Sequence, residues 1–373
     1  MTKQPMHRIP KWWSRTQWIV IPTVVLLLIE VGVRYKFDET PLWYGAAARA
    51  AAAAPVDVIF VGSSRVREGV YVPVFESEVF RAAGSCPRAI NLARGYTTAA
   101  EHYLGLRNLF AAYPESMEGV TVFIEAPGGL PPFETWKEPW ANASQVWLIA
   151  DLLRVRDFPA FWQSGHSLED KLRLSFRASL QNIAAVNRRE RVRADLQQGG
   201  VTWIAALLDE EQRFDPFGEN IVNKQLLGSG GTLTDEKSVR FARELAVEMT
   251  DQALRDEKPL PDWDTSIARD TVKLVQKHKG QVVFFDVPLS ETFKRVYATP
   301  LRQRDVASFK LQAKTWGTEV LQPVLAYTDE DLPDLWHARK ELSVRFSTEL
   351  ARLWAKPTSG LLTVRSRRQC PSA

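Results

Sequence analysis

An α/β fold built on a parallel sheet is what this sequence predicts, and three observations predict it. Short apolar runs rich in β-branched and aromatic residues recur along the chain, helical patterns separate them, and glycine or proline bounds them. The first run is Val56 to Val61 (VDVIFV), between Pro55 and Gly62. Its nearly uninterrupted apolar character suits a strand covered on both faces. Similar runs follow at Ala89 to Leu92, Val120 to Glu125 (VTVFIE) and Gln281 to Val287 (QVVFFDV). Helical periodicity occupies Ala99 to Ala112, Trp263 to Lys279 and Arg339 to Trp354. From about Pro131 to Pro261 no buried strand is predicted. Charged amphipathic stretches at Leu168 to Ala194 and Val239 to Glu257 make this region a largely helical insertion, expected at about 131–261 of a domain spanning 56–355. The glycine-rich Gly228 to Gly231 inside it follows no strand and precedes no Lys-Ser/Thr, so it reads as a turn and not a phosphate cradle.

The 373 residues are 45% hydrophobic, enough to bury a full core, and the formal net charge is +4. The arginines are dispersed and not gathered into a stripe interleaved with aromatics, which argues against nucleic acid as a partner. The two cysteines, Cys86 and Cys370, are too few for a zinc set. A disulfide between them stays open on compartment grounds. His102 and His166 lack carboxylates at ligand spacing and are assigned surface or packing roles, so neither metal nor cofactor is expected.

The N-terminus carries its own signal. Trp18 to Val33 is an apolar run of about 16 residues, near the lower limit for crossing a bilayer. Lys3, Arg8, Lys11 and Arg15 precede it without an acidic residue, while charges beyond it are mixed. The positive-inside rule then predicts a cytoplasmic 1–17, an anchor at 18–34 and an extracytoplasmic remainder, which is an inner-membrane, periplasm-facing topology. A cleaved signal peptide competes, but its small-residue cleavage site would fall in the poorly suited IEVGVRYKF. The alanine-rich Gly45 to Pro55 suits a helical spacer within 35–55. The polar 356–373 is expected to be a disordered tail.

Two short patterns carry chemistry. Gly62-Ser63-Ser64-Arg65 follows the first strand at once, and a serine at the carboxyl end of a parallel strand stands where α/β sheets bind ligands. The local alternative is an ordinary turn with Ser63 or Ser64 as an N-cap. Some 270 residues later Asp334-Leu335-Trp336-His337 precedes the last helix. An aspartate three residues before a histidine can hold the imidazole by its Nδ1 proton and leave Nε2 to take a proton from a serine. Arg65 and Arg67 flank Ser64 and are candidates for binding a substrate anion, with a solvated role as the alternative for Arg67. Trp136, Trp140, Trp147, Trp162 and Trp203 either pack in the core or stack on sugars. Asn142-Ala143-Ser144 matches a glycosylation acceptor, informative only in a secretory host.

Taken together, the two patterns resemble the two ends of an SGNH (GDSL-like) hydrolase domain. Gly62-Ser63-Ser64 matches the Gly-Asp-Ser block with Ser63 in place of aspartate, and Asp334 and His337 match the terminal Asp-x-x-His block. Asn91 to Gly95 (NLARG) is similar to the second block. The resemblance implies a flavodoxin-like three-layer sandwich, with Ser64 as nucleophile, His337 as base and Asp334 as its orienting partner. It also implies an oxyanion hole of the Ser64 and Gly95 amides. The Gly-x-Asn-Asp block is missing: the third strand runs into Ala126-Pro127-Gly128-Gly129, and Asn142 is the downstream candidate to replace the absent asparagine. The activity implied is ester hydrolysis, on acyl groups such as O-acetyl esters of an envelope polysaccharide. Acyl transfer to a sugar hydroxyl, or a non-catalytic carbohydrate-binding or assembly role on the same fold, are the alternatives.

Overall fold

The computed structural model describes residues 54–93, 98–136, 236–260 and 262–356, with Val24 and short stretches at 152–154, 157–162, 167–169, 171–172 and 175–176. Five strands form one sheet: β1 (Val58–Val61), β2 (Ala89–Asn91), β3 (Thr121–Glu125), β4 (Gln281–Phe285) and β5 (Glu319–Leu321). All pairings are parallel and the order is β2-β1-β3-β4-β5. This order reverses direction between β1 and β3, the switch point at which doubly wound sheets open a crevice beyond the strands' carboxyl ends. The four apolar runs read from the sequence supply β1 to β4. The fifth strand is an addition.

Among the described residues ten α-helices occur, and eight of them position the rest: α1 (Ser64–Gly69), α2 (Val72–Ala83), α3 (Ala99–Ala112), α4 (Glu236–Arg255), α5 (Ile267–Lys277), α6 (Glu291–Tyr297), α7 (Pro300–Thr315) and α8 (Lys340–Trp354). Alternate residues of each strand point to opposite faces, and the two cores follow that alternation. Ile59, Val61, Val122, Ile124, Val282 and Phe284 pack under α3, α5 and α7 with Phe110, Val272 and Phe309. Val58, Phe60, Phe123, Val283 and Phe285 pack under α2 and α8 with Phe75, Phe346 and Trp354. The second core is largely aromatic: Phe60 meets Phe75 edge-on at 5.0 Å, and Phe75 stacks on Trp354 at 5.6 Å.

Local chemistry sets the helix starts. Thr98, Ser266, Ser290 and Thr299 cap α3, α5, α6 and α7 through their hydroxyls, each satisfying one backbone N–H that the helix cannot. The sharpest constraint is Gly62, between β1 and α1. A Cβ there would lie 2.5 Å from Val66 Cγ2 and 2.8 Å from Glu125 Cβ.

Cys86, ahead of β2, is disulfide-bonded, and Cys370 lies outside the described residues. The expected anchor at 18–34 also lies outside them except for Val24, which is helical and exposed. Among the described residues no helix is long and apolar enough to cross a membrane. The expected tail at 356–373 apart from Lys356, the N-terminal 1–17 and most of the insertion are likewise beyond them; α4 and the short helix Phe158–Trp162 are the insertion's described helices.

Gly62→Ala forces the β1–α1 turn away from Glu125. Urea denaturation should show a loss of about 1–3 kcal/mol, the usual cost of overpacking. An unchanged midpoint would mean that the turn yields freely.

Candidate functional site

The carboxyl edge of the sheet gathers Ser63 and Ser64 from the end of β1, Glu125 from the end of β3, and the loop that leads into α8. The Ser63 hydroxyl is engaged both as donor and as acceptor. Its Oγ accepts the Arg65 N–H at 3.2 Å, as the N-cap of α1, and donates to Glu125 Oε1 at 3.0 Å. Its own N–H also bonds to Glu125 Oε2. The cap is therefore Ser63, and Ser64, half-buried, is the first residue of α1. The amide of that position has no partner within the helix.

The Asp334–His337 pair is assembled. Asp334 Oδ2 lies 2.6 Å from His337 Nδ1, and Asp334 Oδ1 accepts the N–H groups of Trp336 (2.9 Å) and His337 (2.8 Å). Asp334 is 1% exposed. Burial alone would raise its pKa, but the His337 hydrogen bond and charge, with the two backbone N–H groups, outweigh it and hold the carboxyl below its ordinary value. Leu335 at the centre of the loop has φ +65°, and its side chain is buried in the aromatic core. A left-handed leucine costs roughly 1–2 kcal/mol, so packing and the Asp334 hydrogen bonds hold the loop in a shape that it would not adopt unaided. Arg243 of α4 adds a hydrogen bond to the Pro333 carbonyl, tying the described part of the insertion to this loop.

His337 Nε2, the atom expected to act as base, is buried and has no hydrogen-bond partner among the described residues. Ser64 Oγ is thus not hydrogen-bonded to it in this state, although catalytic hydrogen bonds often close only in the substrate complex. Arg65 lies between the two segments. Its guanidinium carbon is 5.1 Å from the Trp336 ring and 5.0 Å from the Phe293 ring, and Nη1 is 3.7 Å from Glu125 Oε1. The charge that the sequence offered to a substrate anion is already engaged. Arg67 pairs with Glu68 at 2.7 Å. Gly95 and Asn142, the other two candidates, lie outside the described residues, as does His166.

The loop that stands in place of Gly-x-Asn-Asp has a different use. Gly128 and Gly129 have φ +63° and +79°; the Gly128 N–H donates to Asp286 Oδ1, just beyond β4, at 2.7 Å, and the Gly129 N–H donates to the Ala126 carbonyl at 2.8 Å. Both amides are engaged, Gly128 by Asp286 and Gly129 by the Ala126 carbonyl, and neither serves Ser64. Burial pushes the Asp286 carboxyl up to about 6, against nearby backbone N–H groups and Lys310. Neither Glu125 nor Asp286 was singled out from sequence. The signal that would have found them is a carboxylate ending an otherwise apolar run, at the edge of the sheet where ligands bind.

A small cavity of about 50 Å³ lies beside Ser63, lined by Gly62, His102, Glu125, Pro131 and Thr271 among others. His102 gives a ring hydrogen bond to the Gly62 carbonyl, so this histidine does pack against the turn. Trp136 donates to Asp270 at 2.9 Å, while Trp162 is 40% exposed. Among the described residues no group of three His, Cys, Asp or Glu side chains is placed to hold a metal.

Fold and site define an α/β protein with a carboxylate–imidazole pair at the carboxyl edge of a parallel sheet. No family model matches the chain, and no curated protein is similar to it.

Desolvation lowers the His102 pKa from 6.5 to about 4, with the Gly62 carbonyl opposing. A base depressed on folding contributes stability that is complete above pH 6.5 and is lost as pH falls toward 4. Asp286, raised on folding, runs the other way: its contribution is complete below about 3.8 and is lost as pH rises through 6. His102→Gln should therefore reduce the stability lost between pH 7.5 and 4 by about 3 kcal/mol, at 1.36 kcal/mol per pH unit. Chemical denaturation at the two pH values measures it, and an identical acid loss in both proteins would refute it.

Proposed function

We propose that the chain is a membrane-anchored serine esterase of the SGNH type, acting outside the cytoplasmic membrane. The observation that carries the reading is the His337 imidazole, held by a buried Asp334 with its Nε2 buried and unpaired among the described residues, on the loop that Arg65 ties to the Ser64 turn. A buried ring nitrogen without a partner is costly, and an incoming hydroxyl would satisfy it. Ser63 being occupied as cap leaves Ser64 as the available hydroxyl of the pair.

The chemistry follows from these roles. Ser64 Oγ adds to the ester carbonyl carbon as its proton passes to Nε2 of His337, and Asp334 steadies the resulting imidazolium. The ester C–O bond breaks, the alcohol leaves with that proton, and the acyl group stays on Ser64. Water, deprotonated by the same nitrogen, then releases the carboxylic acid and restores Ser64. The Ser64 and Gly95 amides are the proposed oxyanion donors. A sugar hydroxyl in place of that water makes the enzyme an acyltransferase with the same residues, and neither path requires a metal or cofactor.

O-acetyl groups of an envelope polysaccharide are the proposed substrate, by analogy with the family. An extracytoplasmic domain agrees with the disulfide at Cys86, since such bonds persist in oxidising compartments. The absence of a Ser64–His337 hydrogen bond favours a second reading, a non-catalytic carbohydrate-binding or assembly module.

Hydrolysis of p-nitrophenyl acetate separates them. The native chain should exceed background and Ser64→Ala should fall to it; equal rates remove Ser64 from the mechanism. Asp334→Asn, which keeps the loop's backbone hydrogen bonds but favours the wrong imidazole tautomer, should lower kcat by about 10³–10⁴. A loss below tenfold would deny Asp334 its orienting role.

A further inference from the structure

We propose that Arg65 is a positioning residue: it clamps the loop carrying His337 against the turn carrying Ser64 and sets the distance between base and nucleophile. The inference rests on the esterase reading for its consequence but on independent contacts for its geometry.

Ser64 and His337 belong to segments far apart in sequence, and no hydrogen bond joins their side chains. What bridges them is the residue after Ser64. The Arg65 guanidinium lies over Trp336, the residue before His337, at 5.1 Å, and over Phe293 of α6 at 5.0 Å. The two rings meet at 4.2 Å with an interplanar angle of 60°, so the guanidinium contacts a corner that the rings form together. From behind, Glu125 fixes the charge: Oε1 lies 3.7 Å from Nη1, with side-chain exposures of 4% for Glu125 and 15% for Arg65. Glu125 is in turn held by the Ser63 N–H and hydroxyl. One carboxylate therefore holds the Ser64 turn by its backbone and the His337 loop through Arg65. The contacts act on the same loop that holds Leu335 in the left-handed region.

A residue that binds substrate and one that positions the base differ in what they change. The first alters KM for an anionic substrate. The second alters kcat for a neutral one. On p-nitrophenyl acetate, Arg65→Met in the full chain should lower kcat by about a hundredfold, the scale expected of a displacement near 1 Å, with KM within about twofold. Arg65→Lys keeps the charge and loses the planar stack, so its kcat should fall between the two. Trp336→Leu, which leaves the Arg65–Glu125 pair intact, should reproduce the kcat loss even if Arg65→Met does not fold. Native kcat in Arg65→Met or Trp336→Leu, or a loss confined to KM, overturns the proposal.

A second readout does not depend on turnover. The Nδ1 proton of His337, bonded to Asp334, should give a far-downfield resonance that exchanges slowly in the native chain and is broadened by exchange in Arg65→Met. If the native chain proves no faster than Ser64→Ala, the esterase reading falls and the clamp is judged on this resonance alone. Its persistence unchanged in Arg65→Met would overturn the clamp.

Discussion

A carboxyl group buried at the rim of a sheet has to be met by donors, and the way Glu125 is met organises this molecule's edge. Its oxygens take the Ser63 N–H, the Ser63 hydroxyl and the Arg65 guanidinium. Those three demands bend the chain sharply after β1, start α1 and orient Arg65 toward the last loop. Gly62 is part of the same constraint, because only a residue without Cβ fits between Glu125 and Val66. Remove the carboxylate and the turn loses both its cap geometry and the reason for its shape.

The sheet supplies the rigid part of this arrangement. β1 and β3 are paired in register from Val58 opposite Thr121 to Val61 opposite Ile124, so their ends deliver Ser63 and Glu125 side by side. The last helix supplies the other part. α8 is pinned through Trp354 in the aromatic core and through Ser343 and Ser347, which bond to the Glu68 carbonyl and the Tyr71 amide. With α8 fixed against α1 and α2, the loop that feeds it has little choice but to lie near the Ser64 turn.

Much of this is legible in the sequence, and the gaps have physical causes. β1, β3 and β4 announce themselves because strands covered on both faces need unbroken apolar runs. β5 does not: it is three residues at the sheet edge, with Glu319 exposed. Asp334 and His337 are readable because they are three residues apart and their bond is local. The cap role of Ser63, by contrast, is decided by Glu125, 62 residues away, and no local rule separates Ser63 from Ser64. Arg65 reads as a free cation next to a reactive serine; its partners come from α6 and the last loop, contacts that exist only in the folded chain. The missing Gly-x-Asn-Asp block is visible as an absence, but its replacement by a turn whose Gly128 binds Asp286 depends on β3 and β4 being neighbours.

Leu335 has a consequence for the order in which the molecule becomes competent. Glycine would adopt its left-handed backbone without penalty, yet the chain places there a bulky side chain that reaches the aromatic core. The loop around Asp334 and His337 is consequently uphill until that core exists, and the core is finished by α8, among the last residues described. An incompletely synthesised or partly opened chain would hold both residues without their geometry. The Asp334–His337 geometry is thus completed by the closing of the domain around one strained residue.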